Sequence, residues 1–168
     1  TVICFRTKIF VIMAVVTLLN HELSANNITV SNISLTGQNT TSGINNVANF
    51  SFIQFDINWE NSWRTSSGSS NWDAAWVFVK YRKSGSVVWN HATLNTTSSN
   101  HTAPTGSTIS QSDETGIFIY RSSNGTGTFS LTDVELRWQY AADGLLDTNT
   151  IEIAVQAIEM VYVPQGAF

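Results

Sequence analysis

Between Ile53 and Glu60 the chain alternates without a break: Ile53, Phe55, Ile57 and Trp59 are apolar, and Gln54, Asp56, Asn58 and Glu60 are polar. Successive side chains of a strand point to opposite faces, so this period of two describes a half-buried β-strand. The pattern recurs where Val134, Leu136 and Trp138 alternate with Glu135, Arg137 and Gln139, and no long window carries a clean helical stripe. Strands are expected over 28–35, 50–60, 75–82, 87–94, 116–121, 127–131, 134–140 and 151–163. Phe50 and Phe52 fall on the wrong phase for the second strand, which predicts a bulge near Ser51 to Ile53. Lys83-Ser84-Gly85-Ser86 reads as a short turn. About eight mainly antiparallel strands separated by Gly/Ser/Asn clusters predict an all-β fold, a β-sandwich or jelly roll.

The N-terminus reads as a targeting segment. Arg6 and Lys8 precede the apolar run Ile9 to Leu19, and Leu23-Ser24-Ala25 offers a small-residue cleavage site. An apolar run of eleven residues is shorter than the roughly 20 needed to span a bilayer. Residues 1–25 are therefore expected to be a signal peptide, which implies a secreted or cell-surface protein with no membrane association after cleavage. The β domain is expected over 26–158, with a polar, flexible linker at 36–48 after its first strand, and 159–168 as a lead-in to a further domain. Removing Arg6, Lys8 and Glu22 leaves six basic and eleven acidic residues, a net charge of −5 that argues against a nucleic-acid partner. Cys4 leaves with the signal, so packing rather than disulfides must hold the domain.

Catalytic motifs are not found. The sequence has no G-x-S-x-G elbow, no H-E-x-x-H and no P-loop lysine after Gly125-Thr126-Gly127. Asp56, Asn58 and Glu60 share one strand face but lack the loop geometry of a calcium cage. Asp143 to Asn149 lacks EF-hand spacing and reads as a turn, and His91 and His101 have no zinc-like spacing. No catalytic residue, metal or cofactor is expected.

Four tryptophans crowd between residues 59 and 76. Trp59 and Trp76 lie inside strands and are expected in the core, whereas Trp63 and Trp72 flank a polar loop. With Arg64 and Asp73 beside them, Trp63 and Trp72 are the candidate glycan-binding residues, because an indole face stacks on a sugar ring and charged neighbours take its hydroxyls. N-glycosylation sequons begin at Asn27, Asn32, Asn39, Asn95, Asn100 and Asn124, with a seventh at Asn49, whose entry into a strand makes it a poor acceptor.

The segments Phe55 to Arg64, Asn71 to Tyr81 and Gly116 to Ser122, with the closing Glu159-Met160-Val161-Tyr162-Val163-Pro164-Gln165-Gly166-Ala167-Phe168, resemble secreted proteins of Bacteroidetes-type bacteria. In those, an N-terminal β domain precedes a formylglycine-generating (sulfatase-modifying-factor-like) domain. The resemblance implies location and architecture, with the catalytic domain itself absent from this chain, and it supplies no site residues. Two main roles follow. The first is a non-catalytic structural or adhesive subunit that associates with itself or with another surface protein by strand addition. Its candidate assembly strand carries Ile28, Val30, Ile33 and Leu35 on a thirteen-residue tether that reaches roughly 40 Å when extended. The second is an accessory module for an enzyme domain. A carbohydrate-binding module, with glycans as partners, overlaps the second.

Overall fold

The computed structural model describes residues 26–68, 70–111 and 113–162; the expected signal peptide and residues 163–168 of the expected lead-in lie outside them. Alternation sets the architecture. In β2 (Phe50–Arg64) the side chains of Ile53, Phe55, Ile57 and Trp59 are buried, and in β3 (Trp72–Lys83) those of Ala75, Val77, Val79 and Tyr81 are buried against the same core. Each strand offers one apolar face, and the chain satisfies both by folding one antiparallel sheet over on itself. The fold line runs through the single β2–β3 pair, Arg64 with Trp72. One layer is β1 (Thr29–Asn39), β2 and β7 (Gly125–Trp138). The other runs from β8 (Ile151–Tyr162) through β3 to β6 (Gly116–Arg121) and β5 (Ser107–Gln111), with the two-residue β4 (Asn90–His91) on β3 beyond β6. The described residues form an all-β sandwich of eight antiparallel strands.

Asp56 ties together the bulges of the first layer. Its carboxylate accepts the Asn32 amide at 2.6 Å and the Asp133 backbone N–H at 2.9 Å. Both partners have positive φ, +53° and +57°. Each marks a one-residue bulge in a strand flanking β2, between Ser31 and Ser34 in β1 and between Leu131 and Val134 in β7. A single side chain therefore secures matched bulges on both sides of its strand, and bulges increase local twist. The two strands expected at 127–131 and 134–140 are one strand interrupted by this bulge.

Several expectations need correction. β2 itself gains no residue at Ser51 to Ile53; the bulge at this level lies in its partner, between Thr36 and Asn39 of β1 opposite Ser51. Ser51 simply takes the inward position, and Phe50 and Phe52 pack against each other on the outer face, with the Arg137 guanidinium 3.6 Å from the Phe50 ring centre. The flexible linker expected at 36–48 is strand up to Asn39 and then successive turns: Gly43 N–H bonds to Thr40 O, Asn46 N–H to Gly43 O and Asn49 N–H to Asn46 O. Asp147 ties these turns to the β7–β8 connection, accepting from Asn45 N–H (2.7 Å), Tyr140 Oη (2.7 Å) and the Asn49 amide (3.0 Å). Polar turn residues had the signature of flexibility, but they are spent on backbone bonds. The strand expected at 87–94 is reduced to Asn90–His91, and β5 lies in a stretch where no strand is expected.

The candidate assembly strand is seated in its own sheet. β1 pairs antiparallel with β2, Val30 opposite Ile57 and Leu35 opposite Ile53. Ile28 and Val30 pack on the core, while Ile33 and Leu35 stay 38% and 39% exposed at the sandwich edge.

The bonds from Asn45, then Tyr140 and Asn49, hold the Asp147 carboxyl below its ordinary value of 3.8, against a smaller opposing effect of burial. Its contribution to folding is whole above that value and is lost as pH falls through the lower folded one. Hydrogen exchange of amides 40–49, with the intrinsic rate change corrected, is therefore expected to accelerate selectively below about pH 4. Unchanged protection at pH 3 would show that Asp147 does not hold the turns.

Candidate functional site

The four candidate glycan-binding residues lie at the fold line, and the structure separates them. Asp73 points into the core and is fully buried. Its Oδ2 accepts the Trp59 indole N–H at 2.5 Å, and its Oδ1 accepts Ser62 Oγ at 3.0 Å and the Trp63 backbone N–H at 2.9 Å. Ser62 can face inward because Asn61, at φ +54°, adds a bulge to β2 between Trp59 and Ser62. Asp73 therefore clamps the corner and has no access to a ligand. Arg64 and Trp63 are consecutive on β2 and point to opposite faces. Arg64 shares its face with its partner Trp72, so Trp63 looks away from both. The Trp63 indole donates to Asn71 Oδ1 at 3.3 Å.

Of the four, Arg64 and Trp72 come together. The Arg64 guanidinium lies 5.0 Å from the Trp72 ring centre and 5.4 Å from that of Tyr120, and donates to Arg121 O at 2.6 Å. Trp72 stacks on Tyr162 with ring centres 4.0 Å apart and planes 18° apart, and Tyr120 lies 6.0 Å away at 29°. Three adjacent strands (β8, β3 and β6) thus contribute one aromatic row, whose shared ring faces are no longer open to a sugar.

Beside this row lies a slot of about 340 Å³ on the outer face of the second layer. Ala74 forms its floor, and Trp72, Tyr120, Phe118, Met160 and Tyr162 wall it. Trp76, expected in the core, sits next to it on the outer face, half-buried, and closes over Gly116, where a methyl group would lie 2.7 Å from its Nε1. Apart from Trp72, sequence reasoning missed these residues. Their signal was the outward register Trp72, Ala74, Trp76, Phe78 on β3, which is apolar where the outer face of a sandwich is normally polar. A second cavity, about 360 Å³, opens at the edge between β1 and β8. Its apolar part is Leu35, Trp138, Leu145 and Ile151, and its polar part is Gln38, Tyr140 and Asp147, which already bond to one another.

Among the described residues no group of three or more His, Asp or Glu side chains is placed to hold a metal. His101 serves the opposite edge. Its Nδ1 accepts the Arg137 backbone N–H at 3.1 Å, so its proton sits on Nε2, which faces Asn95 O at 2.8 Å and Gln111 Oε1 at 3.1 Å. The ring thereby joins the 93–102 segment to β7 and β5. Four of the sequon residues have their acceptor nitrogen engaged: Asn32 with Asp56, Asn49 with Gly43 O and Asp147, Asn100 with Asn95 and Asn124 with Ser66. Asn27 is exposed, Asn39 and Asn95 are half-buried with their side-chain oxygens capping turns, and Asn49 is buried.

Two outcomes follow for stability. Asp73→Ala strands two buried donors and the half-buried Trp63 N–H and is expected to cost about 3–5 kcal/mol in urea unfolding, with Asp73→Asn losing less because one acceptor remains; a loss below about 1 kcal/mol would contradict the clamp. Burial holds the His101 ring below its ordinary value of 6.5, assisted by Arg137 and opposed by the Asn95 and Gln111 bonds. Its contribution is whole above pH 6.5 and lost as pH falls through the folded value. His101→Gln should flatten that part of the stability profile, and an unaltered slope would assign it to other groups. No protein-family model, curated protein or solved structure matches the chain, so its function has to be argued from its own surface.

Proposed function

We propose that the chain is a non-catalytic interaction protein that assembles by strand addition, with the free edge of β8 as the acceptor. One observation carries this. β8 pairs with β3 over twelve consecutive residues, Ile151 to Tyr162, with no register shift, and among the described residues no strand pairs with its other edge. An edge of that length is a template for another strand unless it is blunted by lysine, proline, a bulge or a cover. β8 has no lysine, proline or bulge, and no strand of the described residues covers its outer edge by pairing: its charges are Glu152 and Glu159, the latter accepting the Asn26 amide ahead of β1, and Ile158, Met160, Val161 and Tyr162 are each about half exposed. β1, across the same edge of the sandwich, is interrupted by two bulges and stays with β2.

The strand that meets this edge is β8 of a second copy, running antiparallel about a two-fold axis. Such pairing continues the second layer across the interface and needs no rearrangement of β1. In this reading the signal expected at 1–25 delivers the protein to the cell surface, and the mostly neutral Ser/Thr/Asn exterior suits an exposed assembly.

The test is light scattering after size exclusion on wild type and on Gln156→Lys/Ile158→Lys. Both positions are exposed and lie outside the core, and lysines there oppose one another when two β8 strands pair near their middles. A concentration-dependent dimer that the double variant reduces to monomer is the expected result. A monomer at every concentration, or a dimer indifferent to the lysines, would sink the proposal.

A further inference from the structure

We infer that the outer-face slot over Ala74 is a binding site for a neutral saccharide, independent of pairing at the β8 edge. The slot is concave and of a size that admits a sugar ring. Ala74, only 5% exposed, is the one small residue on β3's outward register between Trp72 and Trp76, and its missing bulk creates the depth. The walls are Trp72, Phe118, Tyr120, Met160 and Tyr162, so a ligand must offer apolar surface to rings on several sides.

The polar groups at the slot choose the class of ligand. The side chains that line it carry the hydroxyls of Tyr120, Tyr162 and Ser110 and the indole N–H of Trp72, all neutral. Trp59, Trp63 and Trp138 donate their indole N–H groups to acceptors within the chain, whereas that of Trp72 meets no other described residue. No Asp, Glu or Lys lines the slot, and the nearby Arg64 is engaged with Arg121 O and the rings of Trp72 and Tyr120. An anionic ligand would find no free cation here, and a cationic one no carboxylate. A neutral sugar matches both halves of the lining, its C–H groups against Phe118, Met160 and the ring surfaces left outside the Trp72 stack, and its hydroxyls with phenols, serine and indole N–H. The site differs from the one expected from sequence in using Trp72 as a wall and in excluding Trp63 and Asp73.

The test is titration calorimetry of the purified chain with cellohexaose, laminarihexaose and mannohexaose, with polygalacturonate as the anionic comparison. Saturable binding of at least one neutral hexaose is expected. It should weaken by about tenfold or more in Ala74→Phe, which fills the slot from its floor, and be unchanged in Trp63→Ala. Circular dichroism checks the fold of each variant. If Ala74→Phe does not fold, Tyr162→Ala replaces it, because that ring is 46% exposed and its removal opens a wall without touching the core. No saturable binding of any neutral hexaose, binding to polygalacturonate alone, or full affinity in the slot variant would overturn the assignment. Because Gln156 and Ile158 do not line the slot, the dimer and the saccharide site fail or survive separately.

Discussion

An indole N–H sealed inside an apolar core must find an acceptor, and this sandwich buries two such tryptophans. Trp59 gives its proton to Asp73 and Trp138 gives its proton to Asp143. Each carboxylate then organises its surroundings. Asp73 gathers Ser62 and the Trp63 backbone, which fixes the corner where β2 folds into β3. Asp143 accepts the backbone N–H and hydroxyl of Thr93, which fastens the irregular 93–102 segment beside the start of the β7–β8 connection. Leaving one partner unpaired in a low-dielectric interior costs far more than the net value of the bond. The two pairs therefore specify the fold as well as stabilise it.

The exposed chemistry follows from the buried chemistry. Because Asp73 must face inward, its neighbours Trp72 and Ala74 face outward, and every second residue of β3 up to Phe78 follows them. The outer face of the second layer is aromatic for that reason, and the alanine in the middle of it leaves a slot. β8 lies beside this face as the outermost strand. Bulges secured by Asp56 interrupt one flank of the sandwich, and the 93–102 segment, bridged through Leu94 and Thr102, covers the outer edge of β7. The long regular edge that remains is that of β8.

Much of the fold was legible in the sequence because alternation depends only on which side of a strand is wet. The strands at 116–121 and 151–163 were placed within a residue of their bounds, and the core residues of β2 follow from its period. What alternation could not show was which face turns inward when both carry apolar groups. Phe50, Phe52 and Trp76 therefore looked like bulges or core, and Asp73 looked like surface. Composition misled in the opposite sense at 40–49, where turn formers resembled a loose tether until their bonds to Asp147 were visible. The outer-face slot was hidden because its residues come from β3, β5, β6 and β8, and neither local pattern nor residue type predicts that they meet.

Assembly by strand addition requires β8 to be an available edge, and hydrogen exchange resolved along residues 151–162 as a function of protein concentration tests that most directly. In dilute solution, amides directed away from β3 should exchange quickly while those bonded to β3 stay protected. Raising the concentration should slow the outward set and leave β1 unchanged. An exchange pattern in β8 that does not vary with concentration, or protection that rises in β1 instead, would contradict it.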